Sequence, residues 1–365
     1  MRTMLSPEIW DVIDAVHYRP AVSIILPFNV KINLNAEVNQ KLNIVTDQVE
    51  AELNRNYPDE ICVSVLDKLK KVVENIILDT EKKSMAIYVS PVFEKVIFMD
   101  RLAKERIIID DSFEIRDLVY DLKNTSKYLV LLVSAKQSRI YLCNNSHFVR
   151  IIPEVPESAA AYINDTPERV SNFTDVKERK QTLINKFLSH IDKEIEQILK
   201  AHQLPFFVLG TKKTIGHFRK VTKHDKEIIA YIYANCDKMS TVDLKNILKP
   251  GLELWKRNKQ ENLLKRLEQA AGKGNLILGI KEIWQEISNQ RSGILIVESN
   301  YVFAAQRGPT PDIITEISEP NNEFSYIRDA VDDVIEKILL SGGDIEFTDP
   351  GILESFNHIA LIAFN

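Results

Sequence analysis

The residues of this chain best equipped for chemistry are cations. Lys212, Lys213, Arg219, Lys220, Lys223 and Lys226 crowd together with Asp225 as the neighbouring carboxylate. Such a block attracts phosphate, and His217, Phe218 and His224 lie within it as side chains that can stack on bases. Lys256, Arg257 and Lys259 add a second group further along. Residues 211–273 hold 15 Lys and Arg against 7 Asp and Glu, a net +8, although the whole chain is −5. Residues 309–354 reverse this, with 2 Lys and Arg against 12 Asp and Glu, a net −10. A basic middle suits a polyanion, and an acidic end suits a protein partner or repels nucleic acid. The competing reading, that Lys-rich helices are merely solvated faces, uses the same residues.

A second set of candidates sits in the polar passage 146–181, where Pro153, Pro156 and Pro167 interrupt any period. Glu168, Arg169, Asp175, Lys177, Arg179, Lys180 and Gln181 fall in or just after it. A structureless loop of that length inside a compact domain is usually a working loop or a disordered one. Other chemistries leave no trace. There are 11 glycines and no phosphate-binding glycine pattern, no His-Glu-x-x-His and no Gly-x-Ser-x-Gly elbow. Cys62, Cys143 and Cys236 stand far apart, as reduced buried thiols of a cytoplasmic protein do. His190 and His202 are expected to be half-buried structural residues. Asp110 and Asp111 are neighbours on a strand and point to opposite faces. No catalytic residue, metal site or cofactor is expected, and no apolar run approaches the ~20 residues that cross a membrane.

The elements that must hold these candidates follow from periodicity. Apolar runs at 21–28 and 128–133 are strands buried on both faces, and 139–143 alternates as the second arm of a hairpin. Leu183, Phe187, Ile191, Ile195 and Ile198 recur at helical spacing, and 206–209 returns as a strand. Further strands are expected at 85–89, 92–99, 106–110 and 228–234, with helices over 38–53, 66–77 and 113–122. Residues 211–226 are expected to be a basic connection. Ser240 with Asp243 opens a helix in the manner of a capping box, and Pro250-Gly251 is expected to interrupt it. Beyond 275 come a helix through Ile280, Ile283, Trp284 and Ile287, a strand pair from 293–299 and 301–305, a helix through Ile327–Ile338 positions capped by Gly342-Gly343, and two last strands. The fold class is α/β (α+β), in three domains: 1–125, 126–274 and 275–365.

With this layout the chain resembles the bacterial branch of the archaeo-eukaryotic peptide-chain release factor superfamily, which includes Pelota. The resemblance is carried by SIILPF before two helices, RIIIDDSFEIRDLV, KYLVLLVSAKQSRIYLC, GIKEIWQEISNQRSGILIVES, DDVIEKILLSGGDIEF and HIALIAF. It implies binding in the ribosomal A site, with ribosomal RNA against the middle domain. It also implies a C-terminal L7Ae/L30e-like α/β/α sandwich that meets a translational GTPase or a ribosomal protein. Release factors carry Gly-Gly-Gln on the long middle-domain loop, whereas 146–181 has no glycine and only Gln181 at its end. That motif needs glycine's backbone freedom beside a water-positioning glutamine, so the expectation is a non-catalytic factor in rescue, stress or hibernation. The alternatives are a peptidyl-tRNA hydrolase or tRNA nuclease using the loop, and a protein-interaction module without nucleic acid.

Overall fold

The computed structural model describes residues 5–16, 18–28, 34–79, 82–124, 127–134, 137–144, 147–152, 158–160, 176–202, 204–236, 239–317 and 325–364. It is a mixed α/β protein whose packing divides it into two compact units. One is Met1–Asn124 together with Leu263–Asn365, and the other is Thr125–Asn262.

The first unit begins with α1 (Pro7–Ile13), β1 (Ala21–Pro27), α2 (Leu34–Asn56), α3 (Asp59–Asn75), β2 (Ser84–Ser90), β3 (Phe93–Met99), β4 (Arg106–Asp110) and α4 (Arg116–Asn124). The strands form an antiparallel sheet in the order β3-β2-β1-β4. Alternate residues divide its two faces, as the strand period requires. Val22, Ile24, Leu26, Met85, Ile87 and Val89 pack against the stripe Val38, Leu42, Val45, Val49 and Leu53 of α2 and against α3. Ala21, Ile25, Ala86 and Tyr88 face the other way, into a core shared with α1, α4 and the C-terminal stretch. Helix α4 starts later than periodicity suggests because Phe113–Ile115 serve as an extended link. Ser23 Oγ accepts the Glu114 N–H at 3.0 Å, and the Glu114 carbonyl accepts Tyr88 Oη at 3.0 Å.

The second unit holds β5 (Lys127–Val133), β6 (Arg139–Asn144), β7 (His147–Ile151), α5 (Val176–His202), β8 (Phe206–Gly210), α6 (Lys212–Val221), β9 (Ile228–Tyr233) and the first part of α7 (Thr241–Lys273). Its strand order is β7-β6-β5-β8-β9, antiparallel through β7, β6 and β5 and parallel through β5, β8 and β9. Leu129, Leu131, Phe206 and Val208 meet Phe187, Ile191 and Ile195 of α5 and Ile215 and Phe218 of α6. Val130, Leu132, Phe207 and Leu209 meet Leu244 and Leu248 of α7 on the opposite face. Each fully buried Phe contributes about 1.5–3 kcal/mol. Two expectations are corrected here. Residues 211–226 are not a bare connection: Thr211 caps α6, accepting the Thr214 N–H at 3.2 Å. Nor does Pro250 interrupt α7, which runs through it as one helix. Gly251 beside it lets the helix approach Phe207, whose Cε1 would lie 3.0 Å from an added Cβ. The capping box at the start of α7 is present, with Asp243 N–H on Ser240 Oγ at 3.2 Å and Ser240 N–H on Asp243 Oδ2 at 3.0 Å.

The first unit resumes at Leu263. It adds the end of α7, β10 (Leu276–Leu278), α8 (Ile280–Ser288), β11 (Gly293–Glu298), β12 (Ala305–Arg307), β13 (Ile314–Glu316), β14 (Tyr326–Ile327), α9 (Ala330–Leu340), β15 (Asp344–Thr348) and β16 (Ile359–Ala363). The main sheet runs β10-β16-β11-β15, with β11 and β15 parallel. Helices α8 and α9 cover one face, through Leu295, Val297, Ile345, Ile359 and Leu361. Leu263 and Leu267 of α7 cover the other, through Ile296 and Ala360. Residues 293–299 and 301–305 do not pair with each other. Strand β12 instead joins β13 and β14 in a separate three-stranded sheet, and just before it the Phe303 carbonyl accepts the Ala330 N–H at 2.8 Å.

Candidate nucleic-acid interface

Strand β8 ends in Gly210, and a single residue later the chain is helical. An added Cβ at Gly210 would lie 2.8 Å from the Val133 carbonyl oxygen and 2.9 Å from Thr214 Oγ1, so the turn is closed to other residues. This sets the N-terminus of α6 at the carboxyl edge of the parallel strands, where open α/β sheets present their ligand-binding groups. Ile215 and Phe218 bury the inner face of α6. Lys212, Lys213, Arg219 and Lys220 are exposed on its outer face, followed by exposed Lys223 and Lys226. Lys212 and Lys213 occupy the first turn, where the helix's own field is positive. Placed against that field, they gain most from an outside anion. Gly216 lies between them and Lys220, and a Cβ added there would meet nothing within 4 Å. The middle of the basic face is thus bare backbone, open to close approach.

Gln181 joins this face from α5. Its Nε2 lies 2.6 Å from His217 Nδ1 and donates to Asn185 Oδ1 at 3.1 Å. His217 Nδ1 is then the acceptor, and its proton sits on Nε2. Partial burial, with help from Lys213 and then Lys220, holds the His217 pKa below its ordinary value, so the ring is neutral at pH 7. Arg219 is engaged within the protein. Its guanidinium lies 4.0 Å from the centre of the Tyr231 ring, and Tyr231 Oη donates to Asp225 Oδ1 at 2.7 Å. Burial and that carboxylate raise the Tyr231 hydroxyl above its usual range. The Lys223 N–H is held by buried Asp192 Oδ2 at 3.2 Å, which fixes the end of the basic block against α5.

The structure therefore brings Lys212, Lys213, Lys220 and Gln181 around one helix and keeps Arg219 and Lys223 at its end. Lys256, Arg257 and Lys259 are exposed on α7, the helix that packs on the opposite face of the sheet from α6. Phe218 corrects an expectation: it is fully buried against α5 and β8 and cannot stack on a base. His217 and His224 are half-buried. Glu168, Arg169 and Asp175 lie outside the described residues, as do the side chains of Lys177, Arg179 and Lys180, whose backbone forms the first turns of α5. The contact between Gln181 and His217, 36 residues apart, left no signal in either residue's neighbourhood. Among the described residues no group of His, Cys, Asp or Glu could hold a metal ion. All three cysteines are buried, and burial pushes the Cys143 thiol up to about 12. No helix among the described residues is long and apolar enough to cross a membrane.

Residues 127–291, which contain this entire site, match the model of the bacterial archaeo-eukaryotic release factor family 3. Over these residues the chain is similar to the bacterial archaeo-eukaryotic release factors. The release-factor domain so defined begins with β5 and ends just past α8. Among solved structures the chain is similar to ribosome-bound archaeal Pelota with ABCE1, at 13% identity and a TM-score of 0.43 over 77% of each chain. It is also similar to Dom34 of S. cerevisiae, a translation termination-like factor that interacts with Hbs1, at 13% identity and a TM-score of 0.37 over 77% of this chain and 73% of that one. The archaeal termination factor aRF1 aligns over 99% of both chains at 12% identity and a TM-score of 0.25. No curated protein is a significant match.

Proposed function

We propose that this protein is a non-catalytic, ribosome-associated translation factor that acts in rescue, stress or hibernation. The observation that carries the reading is the outer face of α6 within the release-factor domain, where Lys212, Lys213 and Lys220 flank the bare backbone of Gly216. A face of that kind binds phosphate and admits a ribose-phosphate backbone to close range. In this reading it lies on ribosomal RNA. Residues 1–125, 126–274 and 275–365 act as three modules, and the last, an L7Ae/L30e-like sandwich, meets a translational GTPase. The Gln181 amide supports binding over hydrolysis, because its nitrogen is turned onto Asn185 and His217.

Co-sedimentation with 70S ribosomes at low and raised salt tests the reading. The full chain should pellet with ribosomes at low salt and be released as salt rises. Lys212→Glu, Lys213→Glu and Lys220→Glu combined should abolish pelleting while leaving the melting temperature within a few degrees. Absence from the ribosomal pellet in both salts discards the proposal.

A further inference from the structure

We infer that a cleft in the first unit binds a phosphate-bearing small molecule of the nucleotide class. The cleft has a volume of about 580 Å³, within the range of ~300–1,000 Å³ usual for small-molecule sites. Its walls come from both ends of the chain. Arg101, Lys104, Arg106 and Arg116 stand on the N-terminal side, and Arg328 on the C-terminal side.

Three carboxylates also line it, and each already has a role. Asp117 is ion-paired with both Arg101 and Arg106. Asp329 Oδ1 accepts the N–H groups of Phe303 at 3.3 Å and Val331 at 3.1 Å, while Oδ2 lies 2.5 Å from Arg116 Nη2. Glu114 is 6% exposed, and burial, then the charge of Asp329, lifts its pKa above the ordinary value. Glu114 Oε1 also lies 3.5 Å from Arg106 Nη1, so Arg101, Arg106 and Arg116 are paired within the cleft and the surplus of two charges falls to Lys104 and Arg328. Lys104 is exposed and makes no ion pair among the described residues. Arg328 is exposed and donates Nη1 to the Ile107 carbonyl at 3.2 Å.

Two further features select the ligand. Arg101, Arg106, Arg116 and Arg328 bring four guanidinium groups to the cleft. Guanidinium groups suit phosphate because their planar forks engage two oxygens at once. Beside the cations lie Ile107, Ile108 and Val302, with Ser299 and Asn300 next to them. An apolar wall edged by hydrogen-bonding groups takes a base and a ribose, which a bare phosphate site does not need.

The test is calorimetric titration and thermal melting of the full chain with ATP, GTP, inorganic phosphate and unphosphorylated nucleosides. One or both triphosphates should bind and raise the melting temperature, inorganic phosphate should bind more weakly, and nucleosides should not bind. Lys104→Ala with Arg328→Ala should weaken triphosphate binding at least tenfold. Lys104→Ala alone, at an exposed side chain, should weaken it severalfold with no change in ligand-free melting. Lys212→Ala with Lys213→Ala should leave it unchanged, which separates this site from the face of α6. No binding of any phosphate compound at millimolar concentration overturns the inference. So does binding that survives Lys104→Ala and Arg328→Ala, or is lost on changing Lys212 and Lys213.

Discussion

Replacing Asp332 with alanine should loosen the first unit more than any surface change. The Asp332 side chain is 3% exposed. Its carboxylate accepts the N–H of Arg116 at 2.7 Å and that of Ile115 at 3.1 and 3.3 Å, capping the start of α4 from across the sequence. Alanine leaves both donors buried and unmet. At about 1–3 kcal/mol for each, the loss is about 2–6 kcal/mol. That is a large share of the ~5–15 kcal/mol by which a domain is stable. Urea titration of the full chain, read by hydrogen exchange at 113–120 and at 129–133, measures it unit by unit. The first segment should lose protection at lower urea while the second keeps its midpoint. Burial above all, with the Glu114 charge next, raises the Asp332 pKa well above the usual carboxylate value. A raised folded pKa gives a contribution that is full below the unfolded value of about 3.9 and is lost as pH rises through the folded pKa. Asp332→Asn cannot ionise, so its deficit against the wild type should narrow as pH rises from about 4 to 8. A loss under about 0.5 kcal/mol in the alanine variant, the level of an ordinary surface change, would refute the reasoning. A deficit that widens with pH would refute the second part.

Other outcomes follow from the second unit. In ribosome binding, each of Lys212→Ala, Lys213→Ala and Lys220→Ala should lower the slope of log K against log salt by about 0.7–0.9 if it removes one phosphate contact. Gly216→Ala should raise stability by about 1 kcal/mol, since the Cβ meets nothing, while weakening ribosome binding; urea melts and sedimentation read the two effects separately. Gly251→Ala should instead destabilise by about 1–3 kcal/mol, offset in part by helix propensity, because its Cβ meets the buried ring of Phe207. Lys213→Gln with Lys220→Gln should move the His217 titration upward toward its ordinary value, as followed by NMR of the ring protons; an unchanged midpoint would mean burial alone sets it.

Sequence patterns revealed the elements whose apolar residues repeat. Strand β5 alternates between two cores residue by residue, α8 buries Ile280, Ile283, Trp284 and Ile287 as its spacing requires, and Gly342 follows α9 with φ +78°. Helix α6 was hidden because only Ile215 and Phe218 turn inward, too few for a stripe, and its cap is a single threonine. Strand β7 was hidden because its residues are half-buried or exposed. Pro250 misled because a missing N–H weakens a helix locally, whereas Leu244, Leu248, Leu263 and Leu267 pack α7 on both sides of it. The acidic count of 309–354 misled in another way. Asp329, Asp332 and Glu336 are 7%, 3% and 5% exposed, so part of that charge is internal structure and not surface. At the candidate site the cations were legible as a block. Their division between α6 and α7, and the meeting of Gln181 with His217, depend on how the sheet is wound.

The partnership of Ile115 with Asp332 spans 217 residues of sequence. At about 5–20 residues per second, a ribosome making this chain needs about 10–40 s to reach the second from the first. Through that interval the α4 side of the first sheet has no lid, and Phe113, Leu118 and Val119 remain open to water or to whatever guards nascent chains. The start of α4 can take up its cap only after residue 332 has been made.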